Sequence, residues 1–306
     1  MTSIQRWERL GLVFSAKGQA EWLHSHAAVP IAENIDGDFF RIYFSSRDRS
    51  NRSFTGSVVV DINNPTVVLD LSLDPILTPG RLGEFDDSGS MATWLVKYRG
   101  RRYMYYIGWN LGVTVPFRNS IGLAVSEGAG NFVRYADGPL IDRTLTEPHF
   151  CASCCVVPGD EIWRMWYLSC TEWRIGAHGP EHKYHIKYAE SADGIVWNRD
   201  GVIAIDYADA SEYAISRPSV IHENGIWKMW FSSRGPAYRI GYAESDDGKQ
   251  WNRLDSHVGI SAAGKGWDSE MIEYPFVFDH KGSRYMLYNG NDYGRTGFGI
   301  AMQQAT

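Results

Sequence analysis

Asp87, Glu147, Glu212, Glu270 and Glu273 each stand on a segment that leads into a strand-like apolar run, where copies of one repeated unit would bring carboxyl groups together. Two carboxyl groups flanking a glycosidic oxygen can cleave the bond: one, protonated, donates to the leaving oxygen, and the other, ionised, activates water or attacks carbon. Glu273, two residues before Pro275, is the expected acid or the partner of the base, and Asp87 or Glu147 the expected base. His24 and His26 alternate with Ser25, which in an extended segment puts both on one side, where they could bind an anion or a hydroxyl. Arg47, Arg217 and Arg234 add guanidinium groups, whose paired N–H donors fit phosphate and carboxylate. Asp48, Asn110, Glu172, Asn291 and Asp292 supply further polar contacts. The indoles of Trp22, Trp109, Trp173 and Trp267 offer flat apolar faces to sugar rings.

The elements that must position these residues recur five times. Aromatic-rich runs lie at 42–48, 103–110, 165–172, 229–234 and 286–292; with Tyr43, Tyr105, Trp166, Trp230 and Leu287 as equivalents, the steps are 62, 61, 64 and 57 residues. First apolar runs such as 154–157, 219–221 and 276–278 precede them across a turn, and third alternating runs follow at 56–60, 121–125, 185–189, 239–243 and 297–301. Short β-branched and aromatic runs bounded by turn residues are strands. Four antiparallel strands per repeat predict an all-β fold, a five-bladed β-propeller spanning 1–306 as a single domain. The repeats fall roughly at 22–80, 81–145, 146–210, 211–266 and 267–306. The N-terminal strand 7–14 belongs to none of them, and is expected to close the last blade.

In such a blade the segment entering the first strand and the loop leaving the second share one end. That places the candidate residues in one funnel, while plain turns at 34–38, 98–101 and 222–225 mark the opposite end. The Ser-x-Asp-Gly-x-x-Trp segments 191–197 and 245–251 are expected to be structural, because Asp-Gly favours a tight turn with positive φ and the Trp packs back. Cys151, Cys154, Cys155 and Cys170 fall on apolar strands. They are expected to be buried reduced thiols rather than metal ligands.

A net charge of −6 with both signs interspersed argues against a nucleic-acid partner. No run of eighteen apolar residues is present, so no membrane span is expected. The first residues lack the apolar stretch of a secretory signal, and the expected location is cytoplasmic.

The repeat pattern and the strand openings Arg217-Pro218-Ser219-Val220-Ile221 and Tyr274-Pro275-Phe276-Val277-Phe278 resemble the five-bladed propeller glycosidases, meaning the arabinanase and β-xylosidase family and the invertases and levansucrases. The resemblance implies a first-blade Asp as base or nucleophile, a later Asp that tunes the site and a Glu as acid. This chain departs from it: 23–28 carries no carboxylate, and Arg217 and Tyr274 replace the Asp before Pro. The expected function is a glycoside hydrolase-like enzyme acting on a small soluble carbohydrate. The alternatives are a glycoside phosphorylase for a phosphorylated or acidic sugar, by resemblance to the mannoside phosphorylases, and a non-catalytic propeller that binds a carbohydrate or sugar nucleotide. No cofactor is expected, apart from a calcium ion that oxygen ligands on the axis of such a funnel could hold.

Overall fold

The structure is a computed structural model and describes residues 3–177 and 179–304. Its strands pair into antiparallel meanders of four in chain order. After β1 (Trp7–Phe14), the first comprises β2 (Ser25–Asp36), β3 (Phe39–Arg47), β4 (Ser53–Asp61) and β5 (Val68–Leu71). The second comprises β6 (Gly89–Tyr98), β7 (Arg101–Leu111), β8 (Phe117–Glu127) and β9 (Val133–Arg134). In the third are β10 (Cys151–Val157), β11 (Trp163–Gly176), β12 (Gly179–Ser191) and β13 (Ile203–Ile205). The fourth holds β14 (Ala214–Glu223), β15 (Ile226–Arg234), β16 (Tyr238–Ser245) and β17 (Asn252–Arg253). The last is built from β18 (Glu273–His280), β19 (Ser283–Asn289) and β20 (Phe298–Gln303), and β1 takes the fourth place beside β20, with Trp7 opposite Gln303 and Phe14 opposite Phe298. The first strands pack in succession, β2 on β6, β6 on β10, β10 on β14, β14 on β18, and β18 on β2.

The aromatic runs form the second strands. They are continuous rather than alternating because both faces are covered: Tyr43, Phe44, Tyr105, Tyr106, Trp166, Tyr167, Trp230, Phe231, Leu287 and Tyr288 are all at most 1% exposed. Their polar tips link one meander to the next. Tyr105 donates to the Gly194 carbonyl at 2.7 Å and Trp166 to the Gly248 carbonyl at 2.8 Å, and Trp230 repeats the pattern on Gln5 at 3.0 Å. Gly194 and Gly248 take φ of +75° and +76°, and Asp193 accepts the Ile195 and Val196 amides at 2.8 and 2.9 Å. The Asp-Gly turns thus act structurally. The four cysteines are free thiols, all buried, and burial pushes Cys151 up to about 12 and Cys170 to about 11.

Each first strand carries a register shift at an equivalent place, which skips Val29, Thr93, Ser153, Arg217 and Tyr274. Val29, Arg217 and Tyr274 precede prolines and take left-handed φ of 55°, 52° and 56°. Proline keeps its predecessor out of the right-handed helical region, and a bulge turns a side chain away from the alternation of its strand. A left-handed conformation costs a non-glycine residue about 1–2 kcal/mol, so surrounding contacts must hold it.

Those contacts are densest at Arg217, which is wholly buried. Its guanidinium donates to the Thr93 carbonyl and hydroxyl on β6 and, at 3.0 Å, to the Pro30 carbonyl on β2. Its amide donates to the Ser153 hydroxyl on β10 at 3.2 Å. Among the described residues no carboxylate pairs with it. Burial pulls its pKa down to about 10, which leaves it charged at neutral pH. These residues do not fit a calcium ion: Arg217 already supplies a cation there, Thr93, Ser153 and Pro30 offer no carboxylate, and no group of three His, Cys, Asp or Glu among the described residues could hold a metal.

Arg217→Lys replaces a fork with one ammonium that cannot span Thr93 and Pro30. We expect a loss of about 2 kcal/mol or more, read from urea unfolding midpoints. An unchanged midpoint would show that the guanidinium does not tie the strands together.

Candidate functional site

The bulges deliver Val29, Ser153, Arg217 and Tyr274 to one cavity of about 540 Å³. Its wall from the second and third meanders is apolar and aromatic, with Met91, Ile107, Trp109, Phe117, Phe150 and Leu168. The same cavity is lined by Arg47, Arg234, His182 and four tyrosines, Tyr184, Tyr238, Tyr274 and Tyr293. The Tyr184 and Tyr238 hydroxyls bond each other at 2.5 Å. Arg234 lies over the rings of Tyr213, Tyr238 and Tyr293, 5.3, 5.3 and 5.4 Å from their centroids. His182 stacks on Tyr184, with centroids 5.1 Å apart. Burial, helped by Arg234, holds this imidazole at about 4 and therefore neutral.

Behind the tyrosines sits Glu273, the first residue of β18. It is 0% exposed and neither carboxyl oxygen has a hydrogen bond of ordinary geometry, although the Tyr274 hydroxyl and the Tyr293 amide lie near enough to favour its charged form. Burial pushes this group well above the usual carboxylate range; the Arg234 guanidinium pulls it down and Asp292 pushes it further up. Its charge is felt by Tyr184, Tyr238, Tyr274 and Tyr293, the same residues that line the cavity. A carboxyl held in its neutral form beside a sugar-sized cavity can donate a proton.

None of the five expected catalytic carboxylates lines this cavity, and Glu273 reaches it only through its neighbour Tyr274. Glu147 accepts hydrogen bonds from Tyr167 and Ser169, both at 2.9 Å, and pairs with Arg199 at 3.6 Å and Lys187 at 3.7 Å. Glu212 pairs with Arg253 of β17 at 2.7 Å. The same device recurs where Asp86 joins Tyr106 to Arg134 of β9, and where Asp268 joins Tyr288 to Arg9 of β1. In each case a carboxylate on the entering segment ties to an arginine on or beside an outer strand, which gives Glu147 and Glu212 a part in holding the repeat together. Asp86, not Asp87, holds that place in the second meander. Asp87 instead accepts the Gly83 amide and the Ser88 hydroxyl, each at 3.0 Å, in a turn. Glu270 is exposed, and its backbone is held by Asn291, whose side-chain oxygen accepts the Glu270 and Met271 amides at 2.9 and 3.2 Å.

Among the expected sugar contacts, Trp267 is packed away: a Cβ on Gly299 of β20 would lie 2.4 Å from its ring, and one on Gly56 of β4 would lie 2.2 Å from that of Trp22. These third-strand glycines leave room for the indoles, which are core. Glu172 is exposed and pairs with Lys183 at 3.6 Å, and Asn110 donates to the Glu84 carbonyl at 3.2 Å. Trp173 packs on Phe117, Phe150 and His182, buttressing the cavity wall without lining it. Trp109 does line the cavity, and its indole nitrogen is buried without a partner.

His24, His26, Arg47, Asp48 and Asp292 come together in a second cavity of about 480 Å³, which shares Arg47, Asn51 and Tyr293 with the first. The two histidines share it for another reason than the alternation expected, since His26 is left-handed at φ 64°. Burial, Arg47 and Arg295 together hold His26 at about 4. The tyrosine wall is not foreseen from the sequence. Tyr274 before Pro275 is its one visible signal there, at the place where the resembling families carry Asp.

A raised folded-state pKa for Glu273 contributes stability that is complete below the unfolded value and is lost as pH rises through the folded value. Glu273→Gln keeps the shape without the titration. Its stability, followed by thermal melting, should match wild type near pH 4 and exceed it increasingly toward pH 8, by about 1.4 kcal/mol for each unit of the shift. A difference that does not change with pH would place the carboxyl in a solvated state, and a wild type that gains on the variant as pH rises would place it in an ion pair.

No protein-family model matches the chain. Among solved structures, it resembles a complex of BT0996 with RGII, with a TM-score of 0.75 and 17% identity over 99% of this protein and 93% of that one. A second is a glycoside hydrolase, at 0.74 and 17% over 99% and 93%. A third comes from work on the GH130 family of mannoside phosphorylases, which contains glycoside hydrolases that target β-1,2 mannosidic linkages in Candida mannan, at 0.68 and 14% over 98% and 94%. The fold is thus that of propeller-type glycoside hydrolases, and at these identities the likeness is one of fold. Two sequence relatives, the uncharacterized proteins MT1551 and Rv1502 of Mycobacterium tuberculosis, are each 44% identical over 296 residues, covering 97% of this chain and 98% of theirs. The chain belongs to the family of these two mycobacterial proteins.

Proposed function

We propose that the chain is a single-domain, five-bladed β-propeller whose ring is completed by β1, and that it cleaves a glycosidic bond of a small soluble carbohydrate in the larger cavity. The unbroken cycle of contacts among the first strands and the pairing of β1 with β20 support the architecture. The chemistry is carried by one observation: Glu273, unpaired and fully buried, adjoins a cavity with aromatic and guanidinium walls. A neutral carboxyl there is the general acid that glycoside cleavage requires. The acid must reach the leaving oxygen past the tyrosines. Tyr293, 37% exposed on the turn 291–294, is the outer member of that wall and the one whose rotation opens the path. The base is assigned to Asp292, which borders the smaller cavity beside Tyr293.

Binding without turnover is the second reading, favoured because no carboxylate lines the larger cavity among the described residues. A hydrolysis screen on aryl furanosides and pyranosides separates the two. Wild type should turn over at least one of them. Glu273→Gln should lose about 10²- to 10⁴-fold in rate, together with the alkaline decline that deprotonation of the acid gives wild type. Sugars that raise the melting temperature without turnover of any glycoside would establish the binding protein instead.

A further inference from the structure

We infer that the smaller cavity is a phosphate subsite, which takes a dianionic phosphate either as the phosphoryl group of a sugar in the larger cavity or as free phosphate beside that sugar. The sugar half of the inference rests on the function proposed above; the anion half does not.

Three guanidinium groups, Arg47, Arg49 and Arg295, border this cavity. Among the described residues none of them forms an ion pair, and the only side-chain bond is from Arg47 to the Asn51 amide oxygen at 3.1 Å. Elsewhere the chain matches its arginines to carboxylates closely, as Arg9, Arg134 and Arg253 show. Unmatched cations are costly where they crowd one another, and Arg47 and Arg295 sit near enough that each depresses the neighbouring His26. Two carboxylates share the cavity. Asp48 is already bonded to Arg52 at 2.8 Å, which leaves Asp292 alone facing three cations. His24 adds its imidazole, and the Ser25 hydroxyl, bonded to His26 Nδ1 at 3.0 Å, borders the same space. Forked N–H groups around an open space of this size match the oxygens of a phosphate. Arg47, Asn51 and Tyr293 belong to both cavities, so an anion held here abuts whatever fills the larger one.

The test is thermal-shift and calorimetric titration of the full chain with inorganic phosphate, glucose 6-phosphate and glucose, at ionic strength held constant with chloride. Phosphate should raise the melting temperature saturably. Arg47→Gln and Arg295→Gln should each weaken its binding by about tenfold or more, as loss of one charge-assisted fork requires. Arg295 is exposed, so its variant keeps the test valid if Arg47→Gln fails to fold. Glucose 6-phosphate binding more tightly than both phosphate and glucose would identify a phosphoryl substituent. Equal affinity for phosphate and glucose 6-phosphate would identify free phosphate. No saturable phosphate effect, or one that both variants retain in full, overturns the subsite. Phosphate binding with no glycoside turnover would leave the subsite standing and remove the catalytic proposal.

Discussion

A guanidinium with no carboxylate partner, buried where three first strands meet, is the interaction on which the cavity depends. Removing a charge from water is expensive unless every donor finds an acceptor and the surroundings are polarisable. Arg217 meets most of that demand with the carbonyls of Thr93 and Pro30 and the rings of Trp94 and Phe276 at 5.9 and 6.0 Å, and only its Nε is left without an acceptor. The carbonyls come from β6 and β2 and the guanidinium from β14, so the arrangement exists only if those strands keep their spacing. The left-handed bulge is part of the same constraint, because an unbulged β14 would hold Arg217 to the alternation of its strand. A further consequence is electrostatic: the cavity inherits a fixed positive charge.

Carboxylates are legible in the sequence as residues and illegible as roles. Asp86, Glu147 and Asp268 each lie 20 positions before the tyrosine that donates to them, and each is matched to an arginine on or near the outermost strand. A constant offset from a core aromatic marks a part of the repeat, and parts of the repeat hold blades together. Glu147 and Glu212 therefore look catalytic because they enter the first strands, and are structural for that same reason. Glu273 differs in lying within β18 itself, one residue before the bulge, with no cation bonded to it. Its isolation is a property of three-dimensional packing, which the sequence does not display.

The aromatic residues divide in a similar way. Runs of buried rings on two-sided strands can be read directly, and so can the strand order, because nothing but sheet packing accounts for that spacing. The tryptophans of the entering segments mislead, since Trp22 and Trp267 occupy the space left by Gly56 and Gly299 two strands away. The ligand-facing aromatics are mostly tyrosines contributed by β12, β16, β18 and the 291–294 turn. They come from four separate segments, and only the fold gathers them.

The two cavities are linked through charge as well as through shared walls. Burial shifts Glu273 toward its neutral form against the pull of Arg234, and Asp292, bordering the smaller cavity, pushes in the same direction as burial. An anion seated near Asp292 adds negative potential on that side and so strengthens the hold on the proton. By linkage the effect is mutual: a neutral Glu273 removes a charge that would oppose the anion, so protonation favours its binding. On the function and subsite proposed above, such an arrangement favours a protonated Glu273 at the moment an anionic ligand arrives, and the arginines that attract the ligand need not touch the carboxyl to do so.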